Sequence, residues 1–296
     1  MSVSKVTVVG GGLMGSGIAQ VSAQAGIATT VREISQALCD KARASITKSL
    51  DKGVEKGKVT PAARDAALAK LSFTTDLAAA KDSDLVIEAV VEDLSVKDAL
   101  FKELDAVCGD RTIFASNTSS LVIAEMAAMT KRPDRFCGLH FFNPVPLMGL
   151  VEVVRAVRTS DATIATALEF ARAVGKEPVL AKDRSGFIVN FLLVPYMLDA
   201  VAALESGVAS VADIDKAMKL GCGYPMGPFT LLDFVGLDTT LHIADIFFEE
   251  YHEKRYAAPP LLKRMVTAGW YGRKSGMGFY DYSGKEPVVN PAFAGH

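Results

Sequence analysis

Residues 138–154 place a single titratable ring between two apolar runs. His140 lies within the run Gly-Leu-His-Phe-Phe-Asn-Pro-Val-Pro, and an acid, Glu152, follows the proline-rich bend. Histidine has the side-chain pKa nearest neutrality, which makes it the usual proton carrier in catalysis. A neighbouring carboxylate can orient the ring and stabilise the imidazolium. The preceding run Ser-Asn-Thr-Ser-Ser at 116–120 adds hydroxyl and amide groups, so the pattern indicates an acid–base site.

His140 is the strongest candidate among the four histidines of the chain. His242 and His252 lie in a stretch with helical periodicity, and His296 is the last residue. A lone histidine among aromatic side chains is more often a core residue than a proton carrier. The acid at 152, the polar run at 116–120 and a nucleotide-binding motif near the start of the chain favour catalysis here.

That nucleotide-binding motif is the glycine-rich run at 10–15, which follows an apolar run and opens a helical pattern. In dinucleotide-binding folds the first glycine permits a tight turn, the second lets the backbone approach a pyrophosphate, and the third allows close helix–sheet packing. The pyrophosphate lies at the positive end of the helix dipole. The context predicts a dinucleotide site formed by Gly10, Gly12, Leu13, Met14 and Gly15.

An acid at the end of the second predicted strand bears on which dinucleotide is bound. Glu33 follows the strand predicted at 28–31, where an acid contacts the adenosine ribose hydroxyls. Its charge repels a ribose 2′-phosphate, so we expect NAD in preference to NADP. Arg32 beside it is a contrary signal, because an arginine can accept that phosphate. The alternative for Glu33 is a solvated surface acid.

Short apolar runs alternate with helical patterns through the first part of the chain. Strands are predicted at 5–10, 28–31, 85–90, 112–115, 136–142 and 151–156, and helices at 14–25, 35–70 (with a break near 57–61) and 95–107. This alternation predicts an α/β fold, with a mostly parallel, doubly wound, Rossmann-like sheet covered by helices on both faces. Later the periodicity is helical, at 187–205, 211–220, 231–251 and 260–268. We expect an NAD-binding domain over 1–184 and an all-helical domain over 185–296.

Composition and charge exclude several classes of protein. The chain has 296 residues, 50% of them apolar, and a formal net charge of −2, so we expect no nucleic-acid partner. No apolar run approaches the roughly 20 residues of a membrane span, and the start lacks the features of a signal peptide. The four cysteines are scattered without metal-ligand spacing. We therefore expect a cytoplasmic enzyme that uses neither a metal nor a membrane.

Several separate motifs together resemble the 3-hydroxyacyl-CoA dehydrogenase family. They are the glycine turn at 10–17, Ile-Glu-Ala-Val-Val-Glu at 87–92, Ser-Asn-Thr-Ser-Ser at 116–120, His-Phe-Phe-Asn-Pro-Val-Pro at 140–146, Gly-Phe-Ile-Val-Asn at 186–190 and Gly-Tyr-Pro-Met-Gly-Pro at 223–228. Later matches at 236–240 and 272–278 extend the resemblance almost from end to end. The combination is specific, although no single motif would suffice.

The resemblance implies NAD-dependent oxidation of (S)-3-hydroxyacyl-CoA esters, with short chains such as 3-hydroxybutanoyl-CoA expected, by a homodimer formed through the helical domain. His140 matches the base that takes the C3 hydroxyl proton, and Glu152 matches its partner. Ser119 matches a hydroxyl group that contacts substrate, and Asn190 matches an amide that completes the substrate cleft. On the nicotinamide side of the cofactor site, the matched positions are Asn117, Glu92 and Lys97. At coenzyme A, a looser alignment matches Ser49 and Lys56.

Other functions fit parts of the same pattern. A 3-hydroxyadipyl-CoA dehydrogenase would differ only in its acyl chain. A sugar-acid (gulonate) dehydrogenase of the lambda-crystallin type shares the fold and the His/Glu pair, although the match through the helical domain disfavours it. A non-catalytic NAD-binding protein is disfavoured because His140 and Glu152 are both present. At single positions, Ser119 could cap a helix beginning near Ser120, and Lys56 could lie on a solvated helix face.

Overall fold

A single eight-stranded sheet carries the N-terminal part of the chain. The computed structural model describes residues 3–294 and divides between Phe187 and Ile188 into an N-terminal and a C-terminal unit. The strands of the N-terminal unit are β1 (Lys5–Val9), β2 (Ala28–Arg32), β3 (Leu71–Thr74), β4 (Leu85–Glu88), β5 (Ile113–Ser116), β6 (Phe136–Phe141), β7 (Leu150–Arg155) and β8 (Glu177–Lys182). They lie side by side in the order β3-β2-β1-β4-β5-β6-β7-β8.

Neighbouring strands of this sheet are parallel except for β6 and β7. The central strands β4, β5 and β6 are short runs in which every residue is buried, as expected where helices cover both faces. The winding reverses between β1 and β4, and sheets of this kind bind ligands at the carboxyl ends of the strands beside that point. The predicted α/β fold with a doubly wound, mostly parallel sheet is confirmed.

The antiparallel pair β6–β7 follows from the short connection at 142–149. A parallel pair needs a crossover of about a dozen residues or more, so this connection can only return the chain in the opposite direction. The pairing sets His140 directly opposite Glu152. Side chains of directly opposite residues lie on the same face of a sheet, so the strand register itself brings the two groups together.

Helices pack on both faces of the sheet. They are α1 (Leu13–Gln24), α2 (Gln36–Glu55), α3 (Pro61–Ala69), α4 (Leu94–Val107), α5 (Ile123–Ala128) and α6 (Asp161–Ala173). The predicted break near 57–61 is present, because Thr60 caps α3 and Pro61 occupies its first position. The sequence did not predict α6 or the edge strands β3 and β8, whose side chains are partly exposed and give a weak apolar signal. The helix expected to begin near Ser120 is α5, which begins at Ile123.

Alternate residues along the strands supply the two cores of this unit. In β4, Leu85 and Ile87 belong to a cluster with α1, α2 and α6, while Val86 belongs to a second cluster. The second cluster contains Phe101 and Phe136, whose ring centroids lie 4.6 Å apart. Burial on both faces fixes the register of the central strands.

The C-terminal unit is helical, as predicted, with one addition, a two-stranded hairpin. Its elements are α7 (Val189–Glu205), α8 (Val211–Cys222), α9 (Pro228–Val235), α10 (Leu237–Tyr251), α11 (Pro260–Thr267), β9 (Tyr280–Asp281) and β10 (Val288–Val289). The continuous helix predicted over 231–251 is wrong. It is two helices that meet at Gly236, whose φ of +103° ends the helical conformation. Within residues 3–294, no helix is both long and apolar enough to span a membrane.

Candidate active site

His140 and Glu152 form a buried pair across β6 and β7. The His140 Nδ1 atom lies 2.6 Å from Glu152 Oε2, and the two side chains are 4% and 0% exposed. Because a carboxylate only accepts hydrogen bonds, Nδ1 carries the hydrogen and Nε2 is the nitrogen that can take up a proton. Glu152 therefore fixes the tautomer of the ring and stabilises its charged form.

Ser119 lies at the other nitrogen of the same ring. Its Oγ atom is 3.1 Å from His140 Nε2, and its side chain is half-buried. The rings of Phe142 and Phe187 flank the imidazole, with centroids 4.5 and 5.5 Å away. These contacts restrict the ring, so a ligand hydroxyl placed beside Ser119 would also meet Nε2.

The helix that follows Ser119 does not use its hydroxyl as a cap. Helix α5 begins at Ile123, and Val122 before it makes no side-chain cap hydrogen bond. The N–H groups of Ile123 and Ala124 instead donate to Asp183, at 2.8 and 2.7 Å. The capping alternative for Ser119 is therefore wrong.

Glu92 holds the backbone of residues 118–120 in place. Its Oε1 atom accepts from the hydroxyls of Thr118 and Ser120 and, at 3.0 Å, from the N–H of Ser119. Burial acts to raise the pKa of Glu92, but the Lys97 charge and these hydrogen bonds outweigh burial and leave the pKa lowered. Glu92 is thus charged near neutral pH, and it positions the Ser119 hydroxyl at the histidine.

Lys97 lies behind this arrangement in a buried ion pair with Glu88. Its Nζ atom is 2.6 Å from Glu88 Oε1 and 3.2 Å from Glu92 Oε2, and the Lys97 and Glu88 side chains are 1% and 0% exposed. Glu88 also accepts from the hydroxyl of Ser116 and the N–H of Val90. Glu88 is not among the site residues predicted from the sequence. The signal was present, since it is a single acid inside the apolar run at 85–90.

Asn117 connects the ends of two neighbouring strands at the site. Its side-chain oxygen accepts from the N–H of Phe141 at 2.9 Å, and its own N–H donates to the Glu88 carbonyl at 2.9 Å. Asn117 is buried, and Phe141 directly follows His140. The amide therefore fixes where β6 ends relative to β5.

The glycine turn follows β1 and opens α1, as predicted. Gly10 has a φ of +96°, and a Cβ there would lie 2.6 Å from the carbonyl oxygen of Ala89. A Cβ at Gly15 would collide with the carbonyl of Gly10, whereas a Cβ at Gly12 would meet nothing within 4 Å. The backbone at Gly12 thus faces open space at the helix N-terminus, which fits a pyrophosphate.

Glu33 lies in a groove beside this turn. The groove encloses about 900 Å³, and its lining includes Leu13, Met14, Arg32, Glu33 and Val91. The Glu33 carboxylate accepts from the N–H of Gly11 at 2.5 Å and from the N–H of Ile34 at 3.1 Å. These bonds anchor a half-buried acid beside the turn, which disfavours the alternative of a solvated surface acid.

Ser49 and Lys56 line one pocket of about 530 Å³ between α2 and residues 144–147. Ser49 lies inside α2, and Lys56 follows its last turn. The same wall includes the lysines Lys48, Lys52 and Lys58. Four ammonium groups around one pocket favour a ligand that carries phosphate groups.

Asn190 lies in the C-terminal unit, in the first turn of α7, with a half-buried side chain.

The structure places the predicted residues of the N-terminal unit in separate groups. The N-terminal unit brings together His140, Glu152, Ser119, Asn117, Glu92 and Lys97, and it holds the nucleotide turn and the lysine-lined pocket as separate features. No group of three potential metal ligands occurs in residues 3–294.

Fold and site together define a class of protein. A glycine turn with room for a pyrophosphate and a buried histidine–carboxylate pair lie on the same doubly wound sheet, at the carboxyl ends of β1 and β6. Oxidising an alcohol requires a base for the hydroxyl proton and an acceptor for the hydride. The class is that of the nicotinamide-dependent dehydrogenases.

Comparison with known proteins identifies the family within that class. Residues 5–184 match the family model for the 3-hydroxyacyl-CoA dehydrogenase NAD-binding domain, and residues 186–282 match the model for the C-terminal domain of the same family. The chain belongs to the 3-hydroxyacyl-CoA dehydrogenase family and is an NAD-dependent dehydrogenase. The predicted family, enzyme class and cofactor are confirmed.

Individual relatives agree along nearly the whole chain. The chain is 55% identical to a 3-hydroxybutyryl-CoA dehydrogenase of Mycobacterium tuberculosis, over 95% of this chain and 99% of the relative. It is 50% identical to the mitochondrial hydroxyacyl-coenzyme A dehydrogenase of Sus scrofa, over 95% and 91%. The crystal structure of (S)-3-hydroxybutyryl-CoA dehydrogenase PaaH1 from Ralstonia eutropha superimposes with a TM-score of 0.93 at 42% identity, covering 96% of this chain and all of that one.

Proposed function

We propose that this enzyme reversibly oxidises short-chain (S)-3-hydroxyacyl-CoA esters, such as 3-hydroxybutanoyl-CoA, to 3-oxoacyl-CoA, with His140 as the general base. The observation that carries the proposal is the 2.6 Å bond from His140 Nδ1 to the buried Glu152. This bond leaves Nε2 as the basic nitrogen, directed at the Ser119 hydroxyl.

In the proposed reaction, His140 Nε2 takes the proton of the substrate C3 hydroxyl. Glu152 stabilises the imidazolium that forms, and Ser119 donates a hydrogen bond that holds the substrate oxygen near the base. NAD, when bound, accepts the hydride from C3. In the reverse direction the imidazolium returns the proton to the 3-oxo group.

We propose that NAD is held by the glycine turn and the groove beside it. Gly10, Gly12 and Gly15 leave room for the pyrophosphate, with Leu13 and Met14 beside it, and the anchored Glu33 carboxylate faces the ribose hydroxyls. On the nicotinamide side we propose Glu92 and Asn117. Lys97, the third residue predicted on this side, is 1% exposed and forms an ion pair with Glu92. We therefore propose that Lys97 acts by holding Glu92 in place.

The coenzyme A moiety is assigned to the pocket at α2. Ser49 lies on this pocket and can donate a hydrogen bond. Lys56 is one of the four lysines that line the pocket, which suits the phosphates of coenzyme A.

For the helical domain over 185–296 we propose two roles: the dimer interface and, through Asn190, a contact to substrate. Leu192, Leu220 and Tyr224 are 60%, 76% and 46% exposed, so these apolar side chains are available to a partner subunit. Light scattering of the purified protein tests the dimer.

A reducing, cytoplasmic location is proposed from the cysteines. Cys39, Cys108 and Cys137 are buried as free thiols, and Cys222 is free and exposed. Burial raises the pKa of Cys108 to about 11 and that of Cys137 to about 12, so both thiols stay protonated and unreactive. Free thiols of this kind are typical of reducing compartments.

The acyl chain is tested by an activity panel with NAD and with NADP. The substrates are the 3-hydroxyacyl-CoA esters of butanoate, hexanoate, decanoate and adipate, together with gulonate, and the readout is the absorbance of reduced nicotinamide. We expect the highest kcat/KM with 3-hydroxybutanoyl-CoA and NAD. Preference for the adipyl ester would replace the short-chain assignment, and turnover of gulonate alone would overturn the coenzyme A ester as substrate.

A further inference from the structure

The connection at 142–149 joins the strand that carries His140 to the strand that carries Glu152. Its first residue, Phe142, packs against the His140 ring. Its middle residues Pro144, Pro146 and Leu147 line the α2 pocket together with the lysines. The conformation of this connection therefore determines the shape of the proposed coenzyme A site.

Lys176, on the turn between α6 and β8, donates hydrogen bonds to this connection. Its side chain lies against the connection, and the residue is only 8% exposed. Its Nζ atom donates to the carbonyl of Val145 at 2.6 Å and to the carbonyl of Met148 at 2.8 Å. The adjacent N–H of Glu177 donates to the carbonyl of Gly149 at 2.7 Å. Three hydrogen bonds thus tie the connection to residues 176 and 177.

The chemistry of Lys176 is unusual for a lysine. Within residues 3–294 it has no ion-pair partner, so two backbone carbonyl dipoles balance its charge instead. Burial lowers its pKa, as expected when an ammonium group is taken out of water. Hydrogen bonds from a charged donor are stronger than neutral ones, so removing the ammonium leaves two carbonyls of the connection without their donor.

We propose that Lys176 is a positioning residue for the substrate: its buried ammonium fixes the connection at 142–149 in the conformation that shapes the acyl-CoA pocket. This inference rests on the proposed function, because it assigns that pocket to the coenzyme A ester. A second contact also holds the connection in place. Val145 is 2% exposed and packs against Gly17 of α1, which has no side chain.

Its effect falls on substrate binding and leaves the chemical step largely intact. The His140–Glu152 contact is set by the register of β6 and β7, which Lys176 does not touch. The nucleotide turn and Glu33 line a different groove. Loss of the ammonium should therefore raise KM for the acyl-CoA ester much more than it lowers kcat, and it should leave NAD affinity unchanged.

The test compares Lys176→Met, which keeps the chain length and removes the donors, with wild type and with Arg172→Met. Arg172 lies in the last turn of α6, close in sequence to Lys176, with an exposed side chain, and it is the matched control. The first readout is hydrogen exchange at Leu147 and Met148, whose N–H groups donate to the Pro144 carbonyl at 2.9 and 3.0 Å. The second is steady-state kinetics with 3-hydroxybutanoyl-CoA and NAD.

In Lys176→Met we expect exchange at these two amides to accelerate and KM for the ester to rise, each about 10-fold or more, with kcat changed less than about 3-fold. Arg172→Met should match wild type in both. Unchanged exchange in a folded Lys176→Met, or a fall in kcat at unchanged KM, overturns the proposal.

If Lys176→Met does not fold, Lys176→Gln is measured instead. Its amide can still donate a hydrogen bond, so we expect a smaller rise in both the exchange rate and KM, and wild-type values would overturn the proposal. If wild type itself oxidises no acyl-CoA ester, the proposed function fails, while the exchange experiment still decides whether Lys176 holds the connection.

Discussion

At the level of single residues, the proposed base His140 is held by a set of neighbouring groups. His140 is bonded at Nδ1 by a buried acid and at Nε2 by a hydroxyl. The hydroxyl in turn is positioned by Glu92, and Glu92 by Lys97 and by the hydroxyls of residues 118 and 120. A chain of fixed partners of this kind holds a general base in its reactive orientation before substrate arrives.

Glu33 allows a direct test of cofactor recognition at this scale. Its replacement by alanine removes the proposed acceptor for the ribose hydroxyls and also the charge that would repel a 2′-phosphate. We expect Glu33→Ala to weaken NAD binding about 10-fold or more, with a smaller loss, or a gain, for NADP, measured by fluorescence titration of the reduced cofactors. Glu55→Ala, at an exposed acid in the last turn of α2, is the control. Equal weakening of both cofactors would remove Glu33 from ribose recognition.

At the scale of elements, Gly236 decides the architecture of the C-terminal unit. Its φ is +103°, and a Cβ there would approach Asp238 and Lys274 to 3.1 Å. We expect Gly236→Ala to lower the free energy of unfolding by about 1–3 kcal/mol, measured by urea denaturation. Trp270, the single tryptophan, packs against the core of this unit, so its fluorescence is the probe.

Gly221→Ala is the matched control for that prediction. Gly221 lies in the last turn of α8, and a Cβ there meets nothing within 4 Å. Because alanine is the better helix former, the same substitution should raise the free energy of unfolding by about 0.5–1 kcal/mol. Equal effects at the two positions would show that the conformation of Gly236 is not what divides α9 from α10.

The same elements show how far sequence reasoning extends. The alternation of apolar runs predicted the sheet, and the glycine turn predicted the nucleotide site, because both depend on local patterns. The contact between His140 and Glu152 depends on the register of β6 and β7, a property of two strands that neither run reveals alone. The apolar periodicity of α9 continues into α10, so the break at Gly236 depends on a single φ angle. The ion pair between Glu88 and Lys97 could not be predicted from the sequence, because it depends on how the end of β4 packs against α4 in three dimensions.

At the scale of the whole molecule, stability depends on pH through acids with opposite pKa shifts. Burial, with the nearby charge of Asp215, raises the pKa of Asp233 to about 6, although three hydrogen bonds oppose this. A raised carboxyl pKa means that the folded state binds the proton more tightly, so stability is lost as pH rises through about 6. The pKa of Glu92 is lowered. The free energy of unfolding that the charged Glu92 contributes is therefore lost as pH falls through this lowered pKa.

We therefore expect the free energy of unfolding of the C-terminal unit to increase as pH falls from 7.5 towards 5. Urea denaturation followed by Trp270 fluorescence at several pH values measures it. In Asp233→Asn the increase should disappear, because the titrating carboxyl is gone, whereas Asp245→Asn, at an exposed position of α10, should retain it. An identical pH profile in Asp233→Asn and wild type would assign the dependence to another group.

In the proposed reaction, the substrate proton goes to His140 while NAD takes the hydride. The most direct measurement is the single-turnover rate of reduced nicotinamide formation from 3-hydroxybutanoyl-CoA in His140→Gln, with His242→Gln, at an exposed position of α10, as the control. We predict that His140→Gln reacts about 10²–10⁴-fold more slowly with an unchanged Kd for NAD, and that His242→Gln reacts at the wild-type rate. A wild-type rate in His140→Gln would contradict the account.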